Sequence, residues 1–278
     1  MSALKEIRKY FSSAIIIAEL ELRKIRHDQT QIWVRMIQPA LWLAIYGLTM
    51  SKLSGISAFI PKNLTYLQFM TPGVLAQSAL FVAIFFGINV VWERDLGLLN
   101  KLLSTPASRS SIILGKALSA GVRGIFQAVA VIILALILQV HLIMNPLSIL
   151  GVFVIIVLVS MCFSCMSIAI ASLVKTRERM MGFGQVMTMP LFFASSAIYP
   201  ISIMPSWIKP LAIINPLTYV VDAMRDLLAT GNLQLSLFAW VKTSVPDPDH
   251  APLLSLFSVK DVSRSVTKPR LPGSHIGQ

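Results

Sequence analysis

The chain has 278 residues, of which 55% are hydrophobic and only 13% charged, with a mean hydropathy of +0.74. A soluble globular domain carries about 25% charged residues, so this balance describes an all-α polytopic membrane protein. The net charge of +12 is gathered in short basic segments between apolar runs, which suits anionic lipid and membrane orientation and excludes a nucleic-acid surface.

In chain order, residues 1–31 form the first unit, a cytoplasmic amphipathic segment. Leu4, Ile7, Phe11, Ile15 and Ala18 recur at helical spacing against Lys5, Arg8 and Lys9, as expected of a helix lying at the membrane interface. The alternative is a solvated extension. The apolar stretch here is too short for a secretory leader and is followed by charges, so the segment is expected to remain in the mature protein.

Residues 32–232 form a transmembrane domain. A helical span needs about 20 apolar residues, and five runs approach this: Met36 to Leu53, Thr71 to Trp92, Gly124 to Met144, Leu147 to Val174 and Met180 to Ile208. The predicted fold is a bundle of five clear transmembrane helices. On the fourth, Ser160, Ser164, Ser167 and Ala171 share one face, where another helix, from this chain or a second copy, can approach closely. The basic residues alternate by side. By the positive-inside rule, the N-terminus, the loop from Glu93 to Lys116 and the loop from Lys175 to Arg179 are expected in the cytoplasm.

Between the second and third runs stands the stretch VVWERDLGLLNKLLSTPASRSSIILGKAL. Leu96, Leu99, Leu102 and Leu103 recur at three- and four-residue spacing opposite Asn100, Lys101 and Ser104, which predicts a short amphipathic helix ended by Pro106. Ser108 or Ser110 is placed to cap the helix that follows. The plain reading is an interfacial connector.

After the fifth run, Pro200, Pro205, Pro210 and Pro216 forbid one continuous helix, so Ser195 to Leu228 is expected as short re-entrant or interfacial helices on the outer side. Asp222 and Arg225 stand three apart and either pair or each face headgroups.

Chemistry for an enzyme is missing. No P-loop is present, since Gly115-Lys116 is preceded by Ser110 where such a loop needs glycine. The four histidines sit in dissimilar contexts, so no metal site or cofactor is expected. Cys162 and Cys165 lie in an uncharged run and read as packing residues. No Asp or Glu interrupts any of the five runs, which weakens an ion-coupled transporter. Arg123 and His141 are expected to snorkel to headgroups.

Two stretches resemble a known family. The pattern Glu93-Arg94, Gly97, Leu99, Leu102-Leu103, Thr105-Pro106, followed by Arg109 and LGKAL, is similar to the first cytoplasmic loop of ABC-2 type transport permeases. NPLTYVVDAMRDLL, with Asn215, Pro216, Tyr219, Asp222 and Arg225, is similar to the segment before the last helix of that family, close to its daunorubicin-resistance and nodulation-export branches. Where the family commonly has Thr after the glycine and an acidic-basic pair beyond, this chain has Leu98, Asn100 and Lys101.

The resemblance implies a six-span permease in the cell membrane of a prokaryote that exports a drug, lipid or glycan-type amphiphile. It further implies a partner ABC-type ATPase subunit, a second permease copy forming a homodimer or heterodimer, and a coupling helix over Glu93 to Pro106 that meets the ATPase. A secondary transporter or channel is the alternative, and an intramembrane enzyme the third reading. Residues 233–278 depart from the pattern, because prolines and scattered charges leave no run long enough for a sixth span. This tail is expected to be largely disordered and unrelated to the ancestral fold, as a reading-frame change after Trp240 would produce.

Overall fold

The computed structural model describes residues 2–27, 30–52, 64–105, 108–174 and 176–230, and among these every regular element is helical. In chain order they are α1 (Ser2–His27), α2 (Thr30–Leu41), α3 (Tyr66–Asp95), α4 (Leu98–Leu103), α5 (Arg109–Ile137), α6 (Pro146–Leu173), α7 (Arg177–Phe193), α8 (Lys209–Ile214) and α9 (Pro216–Arg225). A π-helical turn, Trp42–Gly47, and one α-turn, Leu48–Ser51, extend α2, and a second π-helical turn, Asp226–Thr230, follows α9. The tail from residue 233, Pro106 and Lys175 lie outside the described residues.

Three helices, α3, α5 and α6, are long and apolar enough to cross a membrane by length and composition. The other two apolar runs are built differently from the sequence expectation. The first is helical across residues 30–51 but in three pieces, with Pro39 removing a hydrogen-bond donor just before the π-turn. The run from Met180 ends its helix at Phe193, after Pro190, and continues as turns and short helices.

Local chemistry sets the helix starts. The Ser108 hydroxyl accepts from the Ser111 N–H at 3.3 Å to cap α5, Asn145 accepts from Leu147 N–H ahead of Pro146 to cap α6, and Thr176 accepts from Arg179 N–H to cap α7. At the start of α3, Gln68 accepts from the Thr65 N–H at 2.7 Å and donates to the His141 carbonyl at 2.6 Å, tying α3 to the loop after α5.

α3 is the central post. Of its most apolar window 83% is buried, against 39% for α5 and for α6, so α3 is surrounded by protein while the other two each keep an apolar outer face. Phe126, Ile133 and Ile137 on α5 and Leu147, Leu150 and Val154 on α6 are exposed there, as lipid-facing residues are. The core around α3 takes Leu75, Leu80 and Ile84 from α3 itself, Ala128 and Ala135 from α5, Ile156 and Phe163 from α6, and Leu217, Val221 and Met224 from α9.

α1 packs on α5. Its buried face is Ala14, Ile17, Ala18 and Glu21, whereas Phe11 and Ile15, expected on the same face as Ala18, are exposed. The inward face follows from the approach at Gly115 of α5, where a Cβ would lie 2.6 Å from the Ala14 carbonyl oxygen. α1 can come that close only along its small-residue side.

Candidate functional site

The charge run Glu93-Arg94-Asp95 forms the last turn of α3, and each of its side chains reaches a different segment. Glu93 accepts from Lys24 of α1 at 2.6 Å and from Lys116 of α5 at 2.5 Å. Arg94 donates to the carbonyls of Ala171 at 3.3 Å and Val174 at 3.0 Å, at the end of α6 where carbonyls lack helical partners. Asp95 faces Arg177 of α7 at 3.8 Å, and the Arg177 guanidinium lies 4.0 Å from the centre of the Trp92 ring. Three consecutive charges thereby gather α1, α5, α6 and α7 onto the end of α3.

Glu21 and Lys116 are the centre of this cluster. The Lys116 side chain is only 3% exposed and Glu21 8%; they pair at 2.8 Å, with Lys24 3.1 Å from the same Glu21 oxygen. Arg123 donates to the other Glu21 oxygen at 3.3 Å and to the Glu21 carbonyl. Both Lys116 and Arg123 stand over the Phe86 ring. Arg123 is thus turned inward to α1, where the sequence suggested a headgroup-facing side chain.

Burial pushes the Glu21 carboxyl up, but the ammonium groups of Lys116 and Lys24 more than offset it, and the group sits below its ordinary value. Burial pulls the Lys24 ammonium down, but Glu93 and Glu21 outweigh it, and Lys24 sits above its ordinary value. Both stay ionised at neutral pH.

The chain turns immediately after this anchor. Gly97 has φ +72°, a left-handed conformation that a residue with a Cβ adopts only at a cost, and no atom lies within 4 Å of where its Cβ would be. Its N–H bonds to the Arg94 carbonyl and its carbonyl accepts from Lys101 N–H, so one residue ends α3 and starts α4. Leu96 is 61% exposed and Leu98 45%, and Lys101, Ser104 and Thr105 are exposed, while Leu102 is half-buried. Leu99 and Leu103 belong to α4, but their side chains, like Pro106, lie outside the described ones.

At the opposite end of α3, the second motif is also a joint. Asn215 caps α9 by accepting from Leu217 N–H at 3.0 Å, and its amide donates to the carbonyls of Leu191 and Ala194 at 2.7 Å each, closing the end of α7. Pro216 occupies the first turn of α9, and Tyr219 donates to the Ile213 carbonyl at 2.8 Å. Asp222 and Arg225 pair at 2.7 Å. Ser196 donates to the same carboxylate, and Arg225 donates to the carbonyls of Ser196 at 2.6 Å and Phe69 at 3.3 Å.

The small-residue face of α6 turns inward. Ser160, Ser164, Ser167 and Ala171 are all buried. A Cβ at Gly124 of α5 would lie 2.5 Å from the Ser160 hydroxyl, and one at Gly87 of α3 would collide with the Ser167 hydroxyl, which donates to the Ile84 carbonyl at 2.6 Å. The face therefore meets α5 and α3 of the same chain.

No group of three or more potential metal ligands occurs among the described residues, and Cys162 and Cys165 are free thiols on α6. The site offers anchored charges and exposed helix ends: machinery for holding and transmitting position. Glu21, Lys24 and Lys116 were not singled out from the sequence, although Glu21 continues the Ala14, Ile17, Ala18 register at helical spacing, a usable sign of an acid turned inward.

Comparison with known proteins gives a consistent result. Residues 13–229, well over half of the chain, match the family described as ABC-2 type transporter. A protein named as a transport permease in Cyanophora paradoxa is 30% identical over 194 residues, covering 69% of this chain and 66% of that one. One of the same name in Porphyra purpurea is 26% identical over 279 residues, covering 93% and 91%. A daunorubicin resistance ABC transporter permease of Streptomyces coeruleorubidus is 23% identical over 195 residues, covering 70% and 69%.

Proposed function

From the premise that this chain belongs to the ABC-2 type transporter family, we propose that it is the permease subunit of an ATP-binding-cassette exporter, driven by a separate ATPase subunit and working with a second permease copy. Its cargo is a drug, lipid or glycan-type amphiphile, in keeping with the drug-resistance name of one relative. The 278 residues contain no P-loop, in keeping with an energy source on a separate subunit.

The observation that carries this reading is the joint at Gly97. α4 is held at the end of α3, the most buried helix of the bundle, while Leu96, Leu98 and Lys101 remain exposed beside it. A partner that moved α4 would push directly on the central post and, through Glu93, Arg94 and Asp95, on α1, α5, α6 and α7. In this reading the charge triad is the internal half of the coupling device and the exposed edge of α4 is the ATPase-facing half. The Glu93 end then lies in the cytoplasm of a prokaryotic cell, and Asn215 to Arg225 lie on the outer side.

Co-expression with the candidate ATPase tests this. A cysteine at Leu98 should cross-link to the ATPase, and the pair should co-purify with ATPase activity that amphiphiles stimulate. An ATPase that binds the chain only when Leu96, Leu98 and Lys101 are intact supports the reading. Full stimulation after Leu98→Asp with Lys101→Glu would defeat it.

A further inference from the structure

At the Glu93 end, Lys24, Lys116, Arg123, Arg94 and Arg177 all reach a carboxylate or a helix-end carbonyl. Arg35 is the exception. It stands on α2, half-buried, with its guanidinium 5.4 Å from the centre of the Phe85 ring and no carboxylate at ion-pair distance among the described residues. Arg123 is near enough to repel it, and the backbone there is fixed, because Gln127, one turn beyond Arg123, donates to the Arg35 carbonyl at 3.2 Å. Two adjacent phenylalanines of α3 therefore each carry an arginine, Arg35 at Phe85 and Arg123 at Phe86. Among the described residues, the second arginine has an acid partner, Glu21, and the first has none.

The surroundings are amphipathic in the manner of a lipid site. Phe85 is 36% exposed and stacks with Phe81, one turn deeper along α3, at 6.1 Å between ring centres. Phe85 adjoins Phe86, over whose ring Lys116 and Arg123 of the charge cluster stand, so it lies where the apolar span meets the polar end of the bundle. A guanidinium there meets headgroups, while the Phe81 and Phe85 rings meet tails.

We propose that Arg35, backed by Arg123 and flanked by the stacked Phe81–Phe85 pair, binds the anionic head group of a membrane amphiphile, a phosphate or carboxylate whose apolar tail lies against the two rings. An anion there relieves the repulsion between the two guanidiniums and supplies the charge-assisted hydrogen bonds that Arg35 lacks among the described residues. As the place where cargo enters, the site rests on the permease reading; the binding itself does not.

The test uses the full-length protein in neutral maltoside micelles, titrated with dodecyl phosphate and followed by thermophoresis. Wild-type protein should saturate, Arg35→Gln should weaken binding at least about tenfold, and Arg35→Lys should retain most of it. Lys52→Gln, which removes an exposed cation at the far end of the same helical segment, should change nothing. Zwitterionic dodecylphosphocholine and inorganic phosphate should each bind far more weakly, the first because it carries no net charge and the second because it has no tail. Binding by Arg35→Gln equal to wild type, equal binding of either control ligand, or equal loss in Lys52→Gln would overturn the proposal. Binding that depends on Arg35 in a protein that recruits no ATPase would leave the site standing and remove the proposed function.

Discussion

The two ends of α3 are both joints, made with different chemistry. At the Asp95 end ion pairs predominate: Glu21, Lys24, Glu93, Lys116 and Arg123 join α1, α3 and α5, with Arg94 alone of the triad on the carbonyls of Ala171 and Val174. At the Tyr66 end, side chain meets backbone: Asn215 closes the carbonyls of Leu191 and Ala194, Tyr66 donates to Ile198, and Arg225 donates to Ser196 and Phe69. A carbonyl has one fixed position and its donor must match it. Two acids shared among several cations can exchange partners as helices shift. The first end is suited to movement and the second to holding still.

The largest effect is expected where the ionic end is cut at its most buried member. Lys116→Met takes from Glu21 its most buried cation and from Glu93 one of its two, and removing one partner of a buried ion pair costs about 3–5 kcal/mol. Thermal unfolding of the purified protein should show this loss, and the double variant with Glu21→Gln should recover only part of it, since Arg123 then lacks its acid. pH separates the members of the cluster. Glu21 is held below its ordinary value, so its contribution is present above the ordinary carboxylate range and disappears as pH falls through the lowered value. Lys24 is held above its ordinary value, so its contribution is complete below that value and is lost as pH rises through the raised one. Glu21→Gln should remove its share of the acid limb of the stability profile and shrink the alkaline one, which Glu93 alone then supports. A profile unchanged by Glu21→Gln would refute the assignment.

Asn215→Ala probes the other end. It removes the cap of α9 and leaves two carbonyls at the end of α7 without their donor, a loss of about 2–3 kcal/mol. Asn215→Asp keeps the cap but sets a carboxylate against those carbonyls and should be no better than alanine. Unlike the ionic end, this loss should not depend on pH around neutrality or on salt, and a strong salt dependence would erase the contrast between the ends.

Between the ends, packing alone decides. Gly87→Ala drives a methyl into the Ser167 hydroxyl and to within 2.7 Å of the Ser167 carbonyl, an overpacking that costs about 1–3 kcal/mol. Gly182→Ala on α7, where nothing lies within 4 Å of the added Cβ, should be neutral by the same unfolding measurement. Equal effects would mean that the α3–α6 seam is not closely packed.

The difference between the ends also explains what the sequence reveals. Charge-free runs overlap α3 and α6 over most of their length, because a membrane core demands length and hydrophobicity from one continuous segment, but the run from Gly124 to Met144 catches only the second half of α5, whose first half carries Lys116 and Arg123. The same rule sets the boundary of α3 too early, near Trp92. Glu93, Arg94 and Asp95 remain helical because their partners come from segments 69, 23 and 80 residues away, as in Lys24–Glu93, Lys116–Glu93 and Arg94–Val174. Arg123 fails as a headgroup-facing residue for the same reason, since its acid stands 102 residues earlier. A cap is legible, as Ser108 of the pair Ser108 and Ser110 shows, because cap and helix are neighbours in the chain. Pairings across the bundle are not, because nothing in one sequence ties an inward acid on α1 to a lysine on α5.

The smallest expected effect on stability is the most informative about function. Gly97 has room for a side chain but not the right backbone preference, with φ +72° and nothing within 4 Å. Gly97→Ala should therefore cost about 1 kcal/mol, as strain rather than collision. Asparagine tolerates the left-handed region, so Gly97→Asn should cost less; a β-branched Gly97→Val should cost more. If the turn between α3 and α4 carries motion from the ATPase to the central helix, export should fall in the same order, valine worst and asparagine nearest to wild type, while all three proteins insert and bind the ATPase. A connector without a coupling role would show the ordered change in unfolding temperature and no ordered change in export per inserted molecule. That outcome would leave the ionic end as structural glue and remove α4 from the mechanism.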